Sequence, residues 1–170
     1  ASNQKILTST VALAQLGPDY RFLTVIGPRG ALRNGVVDGD LVVIGRGDPS
    51  LSDRMRGSAT SAMLAIVDSL SAKGVKQITG ALRPGGDAFP DNLYAYGWEI
   101  DDMGSSATPT DELFFNEGMV RAVRHTERGD TVEFTGTDNP ANAYLAALDT
   151  ALRARGIVAA RGVNDSVVAV

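Results

Sequence analysis

Apolar positions recur at helical spacing over residues 2–16: Leu7, Val11 and Ala14 form one stripe, Ile6 and Leu13 lie beside it, and Gly17-Pro18 ends it. The segment is apolar over most of its circumference, which predicts burial in a larger body. No other part of the chain is an evident candidate for that body. Residues 20–26 (Tyr-Arg-Phe-Leu-Thr-Val-Ile) read as a strand, and the almost continuously apolar 41–45 (Leu-Val-Val-Ile-Gly) as a central one. Gly30, Asn34-Gly35 and Asp38-Gly39 supply turns between them. Helical spacing returns over 58–73, with Ala62, Ala65, Ile66, Ser69 and Leu70 on one face and Gly74 at the C-cap. Residues 77–82 suit a short strand, and 83–112, rich in Gly and Pro, read as loop. Residues 113–123 and 130–136 predict two strands joined by the polar turn 125–129. Residues 140–155 predict a helix with Pro140 near its start, Ala143, Ala147, Leu148 and Ala151 inward, and Gly156 at its end. A last strand is expected within 157–170. The fold class is α+β, with layered β-sheets and covering helices.

Composition narrows the chemistry. The chain has 170 residues, 44% hydrophobic and 21% charged, enough to bury a core without staples. A net charge of −4, with scattered basic residues, argues against a nucleic-acid surface. The absence of cysteine excludes thiolate metal sites, cysteine nucleophiles and disulfides, and one histidine cannot build a His-based metal cluster. No metal or cofactor is expected. No apolar run reaches the roughly 20 residues of a membrane-spanning helix. The chain opens directly on Ala1-Ser2-Asn3-Gln4-Lys5, inside the predicted helix, so it is expected to be a piece of a longer one.

Ser2-Asn3-Gln4-Lys5 is an S-x-x-K tetrad at a helix start. Residues three apart on a helix share a face, with Cβ atoms about 5–6 Å apart, so a lysine amine there can reach the serine hydroxyl. A lysine serves as a base only when neutral; burial, nearby positive charge and the positive end of a helix all favour that form. The tetrad alone is equally a helix-start serine with a solvated lysine one turn on.

The surroundings add specificity. Ala1-Ser2-Asn3-Gln4-Lys5-Ile6-Leu7-Thr8-Ser9-Thr10-Val11-Ala12-Leu13 resembles the active-site helix of the class C penicillin-binding proteins, the D-Ala-D-Ala carboxypeptidases and endopeptidases. Leu16-Gly17-Pro18-Asp19-Tyr20-Arg21-Phe22-Leu23-Thr24 is similar to the family's next segment. Gly39-Asp40-Leu41 through Gly45-Arg46-Gly47-Asp48-Pro49-Ser50-Leu51 resembles its glycine-aspartate block. Gly97-Trp98-Glu99-Ile100-Asp101-Asp102, Phe115-Asn116-Glu117-Gly118 and Ala151-Leu152-Arg153-Ala154-Arg155-Gly156-Ile157 resemble three more blocks, in the same order.

The resemblance implies a serine-type D-Ala-D-Ala carboxypeptidase acting outside the cytoplasmic membrane, in a family some of whose members are also endopeptidases. By position, Ser2 is the nucleophile and Lys5 its base. The substrates would be peptidoglycan stem peptides ending in D-Ala-D-Ala, and β-lactams would acylate the same serine. Residues 1–17 would be the active-site helix of a transpeptidase-like domain, and 18–170 an inserted α+β domain. Asp87 and Phe89 fall where relatives that recognise a diaminopimelate side chain place an acid and an aromatic, although Arg83-Pro84-Gly85-Gly86 departs from the acidic and hydroxyl residues usual there. The chemistry also needs S-x-N and K-T-G. Phe134-Thr135-Gly136-Thr137 lacks the cation, and Thr137-Asp138-Asn139 reads as a helix N-cap, so both motifs are expected beyond Val170.

Among other residues, Asp40, Gly47 and Asp48 read as turn architecture and Trp98 as a core anchor. Asp101-Asp102 lacks companion ligands, and His125 lies in a polar turn without a triad motif. Two other functions stay open: a non-catalytic domain that positions peptidoglycan, and a β-lactamase-like S-x-x-K hydrolase.

Overall fold

The computed structural model describes residues 2–86, 88–89, 94, 97, 99 and 108–169. In chain order the elements are α1 (Asn3–Leu16), β1 (Val25–Pro28), β2 (Leu32–Arg33), β3 (Val36–Val37), β4 (Leu41–Ile44), α2 (Asp53–Arg56), α3 (Ala59–Ala72), β5 (Gln77–Ile78), β6 (Leu82–Pro84), a one-turn 3₁₀ segment (Asn116–Gly118), β7 (Met119–Thr126), β8 (Gly129–Gly136), α4 (Pro140–Ala154) and β9 (Val158–Ala159). The architecture is mixed α+β.

Two small sheets run into one another. The first has order β1-β4-β6 and the second β2-β3-β5-β9; β1–β4 and β2–β3 are antiparallel, the other pairs parallel. Three neighbouring stretches switch from the second sheet to the first at one level, at residues 38–40, 79–81 and 160–162. Backbone bonds cross the bend: Gly80 N–H to Gly39 O at 2.8 Å and Arg161 N–H to Gly80 O at 3.0 Å. Asp40 pins the bend by accepting Ala81 N–H at 2.9 Å. A Cβ on Gly80 would lie 2.3 Å from that carboxylate oxygen, so only glycine lets the strands approach there. This is why the expected strand 77–82 appears as two short strands in different sheets. After the bend, residues 162–168 line the free edge of β6 through bridges Leu82–Val163 and Gly85–Val168.

Helices α3 and α4 pack together against this sheet, and α4 also meets β6 and β9. The core holds Val37, Leu41, Val43, Met63, Val67, Ile78, Leu82, Leu113, Tyr144, Leu145, Leu148 and Leu152. In α4 the largest apolar residues turn inward, leaving Ala143 and Ala147 only partly buried. In α3 the buried face is Ala59, Met63, Val67 and Leu70; of the expected face Ala62, Ala65, Ile66, Ser69 and Leu70 only Leu70 is fully buried, and the rest lies one position off the buried stripe. Met63 and Val67 offer more apolar surface than Ala65 and Ser69, and burial of that surface sets the rotation of the helix.

Other boundaries move for local reasons. The expected strand 20–26 begins only at Val25, because β4 offers four partners, Leu41 to Ile44, and none remains for residues 20–24. The expected strand 113–123 begins at Met119, because Asn116, Glu117 and Gly118 have φ of 50°, 61° and 72°. Three successive left-handed residues cannot continue an extended strand. The turn 125–129 narrows to two residues, with Thr126 opposite Gly129, so His125 belongs to β7. The short helix α2 has no sequence forecast; Ser52 caps it by accepting Met55 N–H at 3.2 Å.

Arg155, at the C-cap of α4, clamps Asp68 of α3 with two bonds, Nε to Oδ1 at 2.6 Å and Nη2 to Oδ2 at 3.0 Å. The guanidinium hydrogen bond holds the Asp68 carboxyl below its ordinary range. An acid lowered on folding stabilises above its unfolded pKa and loses that contribution as pH falls through the folded value. The difference in urea midpoint between wild type and Asp68→Asn is therefore expected to vanish on acidification from about pH 5 to pH 2. A difference that persisted at the acid end would show packing, not charge, to be responsible.

Candidate active site

Helix α1 carries the S-x-x-K tetrad. Ser2 stands at its N-cap, with φ −64° and ψ −24°, and its side chain makes no capping hydrogen bond. A serine that caps usually has an extended backbone and gives its oxygen to an N–H one turn on. Ser2 is instead already helical, and its carbonyl accepts Lys5 N–H at 3.1 Å. The hydroxyl is thus not consumed by the helix start, and Lys5 follows it by three residues on the same face. Both side chains are exposed.

The rest of α1 is as exposed as its tetrad. It has no buried residue, and Ile6, Leu7, Val11, Leu13 and Leu16 are each more than half exposed. The shallow groove along it is lined by α1 side chains alone. The expectation that this helix needs a larger covering body therefore meets a helix that no described residue covers.

Phe89 lies in a different environment. Its ring packs on Gly47, where a Cβ would come within 2.9 Å of it, and Gly47 has φ 73°. The N–H groups of Ala88 and Phe89 both donate to Glu112 Oε1 at 2.6 Å, and Gly47 N–H donates to Glu112 O at 2.9 Å. Glu112 thus ties the 88–89 turn to the glycine-aspartate block. Nothing in the sequence singled Glu112 out. Asp87, Trp98, Asp101 and Asp102 lie outside the described residues.

The aspartates of that block do turn work. Asp48 Oδ1 accepts Ser50 N–H at 2.9 Å, an Asx-turn. Asp40, besides its bond to Ala81, lies 3.7 Å from Arg83, whose guanidinium donates to Ser166 O at 2.9 and 3.1 Å. Arg83 is therefore committed to holding residues 162–168 beside β6. Thr137-Asp138-Asn139 behaves as a cap: Asn139 Oδ1 accepts Asn142 N–H at 2.8 Å at the start of α4. Phe134 is on the exposed hairpin β7–β8. His125 Nδ1 meets Asp130 Oδ1 across that hairpin at 2.7 Å, with both side chains largely exposed.

One half-buried and one buried polar group had no signal strong enough to single them out in the sequence. Burial pushes the Asp111 carboxyl up from its ordinary range, while the Leu113 N–H it accepts at 2.9 Å opposes that shift. Tyr144, on the inward face of α4, is 1% exposed, and its hydroxyl has no hydrogen-bond partner among the described residues. An inward tyrosine in an alanine-leucine helix is the one available signal for such a group. Tyr144→Phe removes an unpaired hydroxyl at nearly constant volume, so stability is expected to hold or rise by about 1 kcal/mol, read as the urea midpoint. A loss of that size would mean that the hydroxyl is bonded in solution. No group of three metal-ligating side chains occurs among the described residues, and no described helix is long and apolar enough to cross a membrane.

A family model described as D-Ala-D-Ala carboxypeptidase 3 (S13) matches residues 1–164. Over 134 residues the chain is 34% identical to a D-alanyl-D-alanine carboxypeptidase of Actinomadura sp. (strain R39), covering 77% of this chain and 22% of that protein. Over 103 residues it is 31% identical to the D-alanyl-D-alanine carboxypeptidase DacB of Haemophilus influenzae, covering 61% and 20%. The chain thus spans about a fifth of the length of these curated relatives. The crystal structure of penicillin binding protein 4 (dacB) from Haemophilus influenzae superposes on 99% of this chain and 47% of that one, with a TM-score of 0.73 at 19% identity. The same protein complexed with a novel β-lactam superposes with a TM-score of 0.61 at 18% identity. These two likenesses show the fold.

Proposed function

The chain belongs to the D-Ala-D-Ala carboxypeptidase 3 (S13) family, and from that premise we propose that it carries the nucleophile and base of a serine-type D-Ala-D-Ala carboxypeptidase, Ser2 and Lys5. The observation that carries the reading is the tetrad itself: a serine hydroxyl left free at the start of α1, with a lysine one turn behind it. Ser2 Oγ attacks the carbonyl of the penultimate D-alanine of a peptidoglycan stem peptide, and Lys5, unprotonated, takes its proton. Terminal D-alanine leaves with a proton, and water hydrolyses the acyl-enzyme. Backbone N–H groups, that of Ser2 among them, hold the oxyanion. The same attack opens a β-lactam, which fits the complex that the Haemophilus protein forms with one. The work is done outside the cytoplasmic membrane, where this substrate lies, and some cleavage of peptide cross-links belongs to the same chemistry.

Residues 1–17 belong, in this reading, to a transpeptidase-like body, and 18–170 form a domain inserted after its active-site helix. The exposed apolar surface of α1 supports that division, and the S-x-N and K-T-G motifs then come from the covering body. Asp87 and Phe89 are the proposed substrate contacts on the inserted domain. The Phe89 ring, seated on Gly47, would present its remaining half-buried surface to the ligand.

The test is labelling with a fluorescent penicillin on protein that spans the full length of the relatives, followed by peptide mapping. A stable adduct on Ser2 is expected. Absence of any adduct there would sink the peptidase reading and leave a peptidoglycan-positioning domain. An adduct released within seconds would point to a β-lactamase.

A further inference from the structure

A second cleft, of about 420 Å³, opens between the segment before β1, the turn after β4 and the helices α3 and α4. Its apolar walls include Phe22, Leu23, Leu51 and Ile66, and it reaches Tyr144. Ser2 and Lys5 do not line it. Its volume lies in the range of small-molecule sites, about 300–1,000 Å³.

Its polar groups are arranged for a ligand with two charges. Tyr144 is 1% exposed and its hydroxyl lacks a hydrogen-bond partner among the described residues, a costly state for a buried group. Burial, and then the charge of Asp48, keep this phenol protonated. Asp48 and Arg56 line the same cleft, and neither forms an ion pair among the described residues. They flank one small residue: Asp48 Oδ1 accepts Ser50 N–H at 2.9 Å, and Arg56 Nη2 donates to Ser50 Oγ at 3.4 Å. An anion and a cation thus both contact a single serine, in a cleft that Tyr144 and apolar side chains also line.

We propose that this cleft binds a free α-amino acid as its zwitterion, with the ammonium held by Asp48 and the Tyr144 oxygen and the carboxylate held by Arg56. An α-amino acid carries both charges on one carbon, which suits two opposite charges flanking one residue. The ammonium has three donors, enough for Asp48 and the phenol oxygen together, and the guanidinium fork suits a carboxylate. The apolar walls suit a small aliphatic side chain. The inference does not depend on the chemistry proposed at Ser2.

The experiment is a heteronuclear NMR titration of the ¹⁵N-labelled chain with D-alanine, L-alanine, ethylamine and propionate. At least one alanine enantiomer is expected to give saturable shifts at the amides of Ser50, Leu51, Ser69 and Tyr144. Ethylamine and propionate, each lacking one charge, should bind at least about tenfold more weakly. Asp48→Asn keeps an acceptor for the Ser50 N–H but loses the charge, and should weaken binding about tenfold. Arg56→Gln, on an exposed side chain, should do the same, and Tyr144→Phe should weaken binding several-fold. Ser2→Ala should leave it unchanged, which separates this site from the proposed nucleophile. No saturable shift up to about 50 mM of either enantiomer, corresponding to a negligible affinity, would overturn the proposal. So would ethylamine binding as tightly as alanine, because the site would then read only an amine.

Discussion

Ser2→Ala, made in protein that spans the relatives' full length, is expected to lower the rate of acylation by a penicillin about 10⁴-fold or more, the scale on which removal of a nucleophile acts. The fold should be unaffected, because Ser2 does not cap α1 and its hydroxyl holds no backbone group. Unchanged circular dichroism with lost labelling is the expected pair of results. Lys5→Ala should cost about 10²–10⁴-fold, the usual contribution of a general base. The sharper variant is Lys5→Arg. A guanidinium keeps the positive charge but does not lose its proton in a protein. Were Lys5 only an electrostatic neighbour, arginine would restore most of the rate. As the proton acceptor, Lys5→Arg should be as slow as Lys5→Ala. Labelling of Ser2→Ala at the wild-type rate would return the tetrad to the plainer reading, a helix-start serine beside a solvated lysine.

The parts of this fold that could be read from the sequence are those whose cause is local. Helix α4 follows from Asn139-Pro140 at one end and Gly156 at the other, and its cap is the one that Thr137-Asp138-Asn139 announced. The turn at Asn34-Gly35 has φ values of 51° and 86°, those an Asn-Gly turn supplies, although the two-residue strands β2 and β3 that it joins gave no signal of their own. Helix α1 is legible from Leu7, Val11 and Ala14 and from the stop at Gly17, whose N–H still bonds Leu13 O.

What could not be read depends on partners far along the chain. Gln77 to Leu82 suits one short strand, yet it splits because Gly80 must sit against Gly39 and Asp40, about forty residues earlier. The rotation of α3 was decided by what Met63 and Val67 find to pack against, not by the spacing of apolar letters. The left-handed turn at Asn116–Gly118 contains one glycine in three residues, so composition gives little warning of it. For the proposed active site, the tetrad was visible because both its members lie within one helical turn. The amino-acid cleft was not: Asp48 and Arg56 are eight positions apart, Tyr144 joins them from α4, and Asp48 also has a sufficient local role as an Asx-turn.

The second large effect contrasts two leucines. Leu145 is 0% exposed in the α4 core beside Leu148 and Leu152, whereas Leu7 is 62% exposed on α1. Leu145→Ala removes buried methyl groups and leaves a cavity that the packed helices and sheet cannot fully close. Its expected cost is about 2–5 kcal/mol of folding free energy, read from urea unfolding of the 170-residue chain. The same truncation at Leu7 should cost this chain less than about 0.5 kcal/mol, the range for an exposed site, since alanine also favours the helix slightly. The contrast should disappear in protein spanning the relatives' length. If a transpeptidase-like body covers α1 there, Leu7 becomes a core residue and Leu7→Ala should cost on the scale of Leu145→Ala. It should also slow penicillin acylation, because Ser2 and Lys5 ride on the same helix and small displacements of a nucleophile are expensive. A Leu7→Ala cost that stayed near zero in the longer protein would mean that α1 remains solvated there. The proposed division at residue 17, and the covered lysine that the chemistry at Ser2 requires, would then both fail.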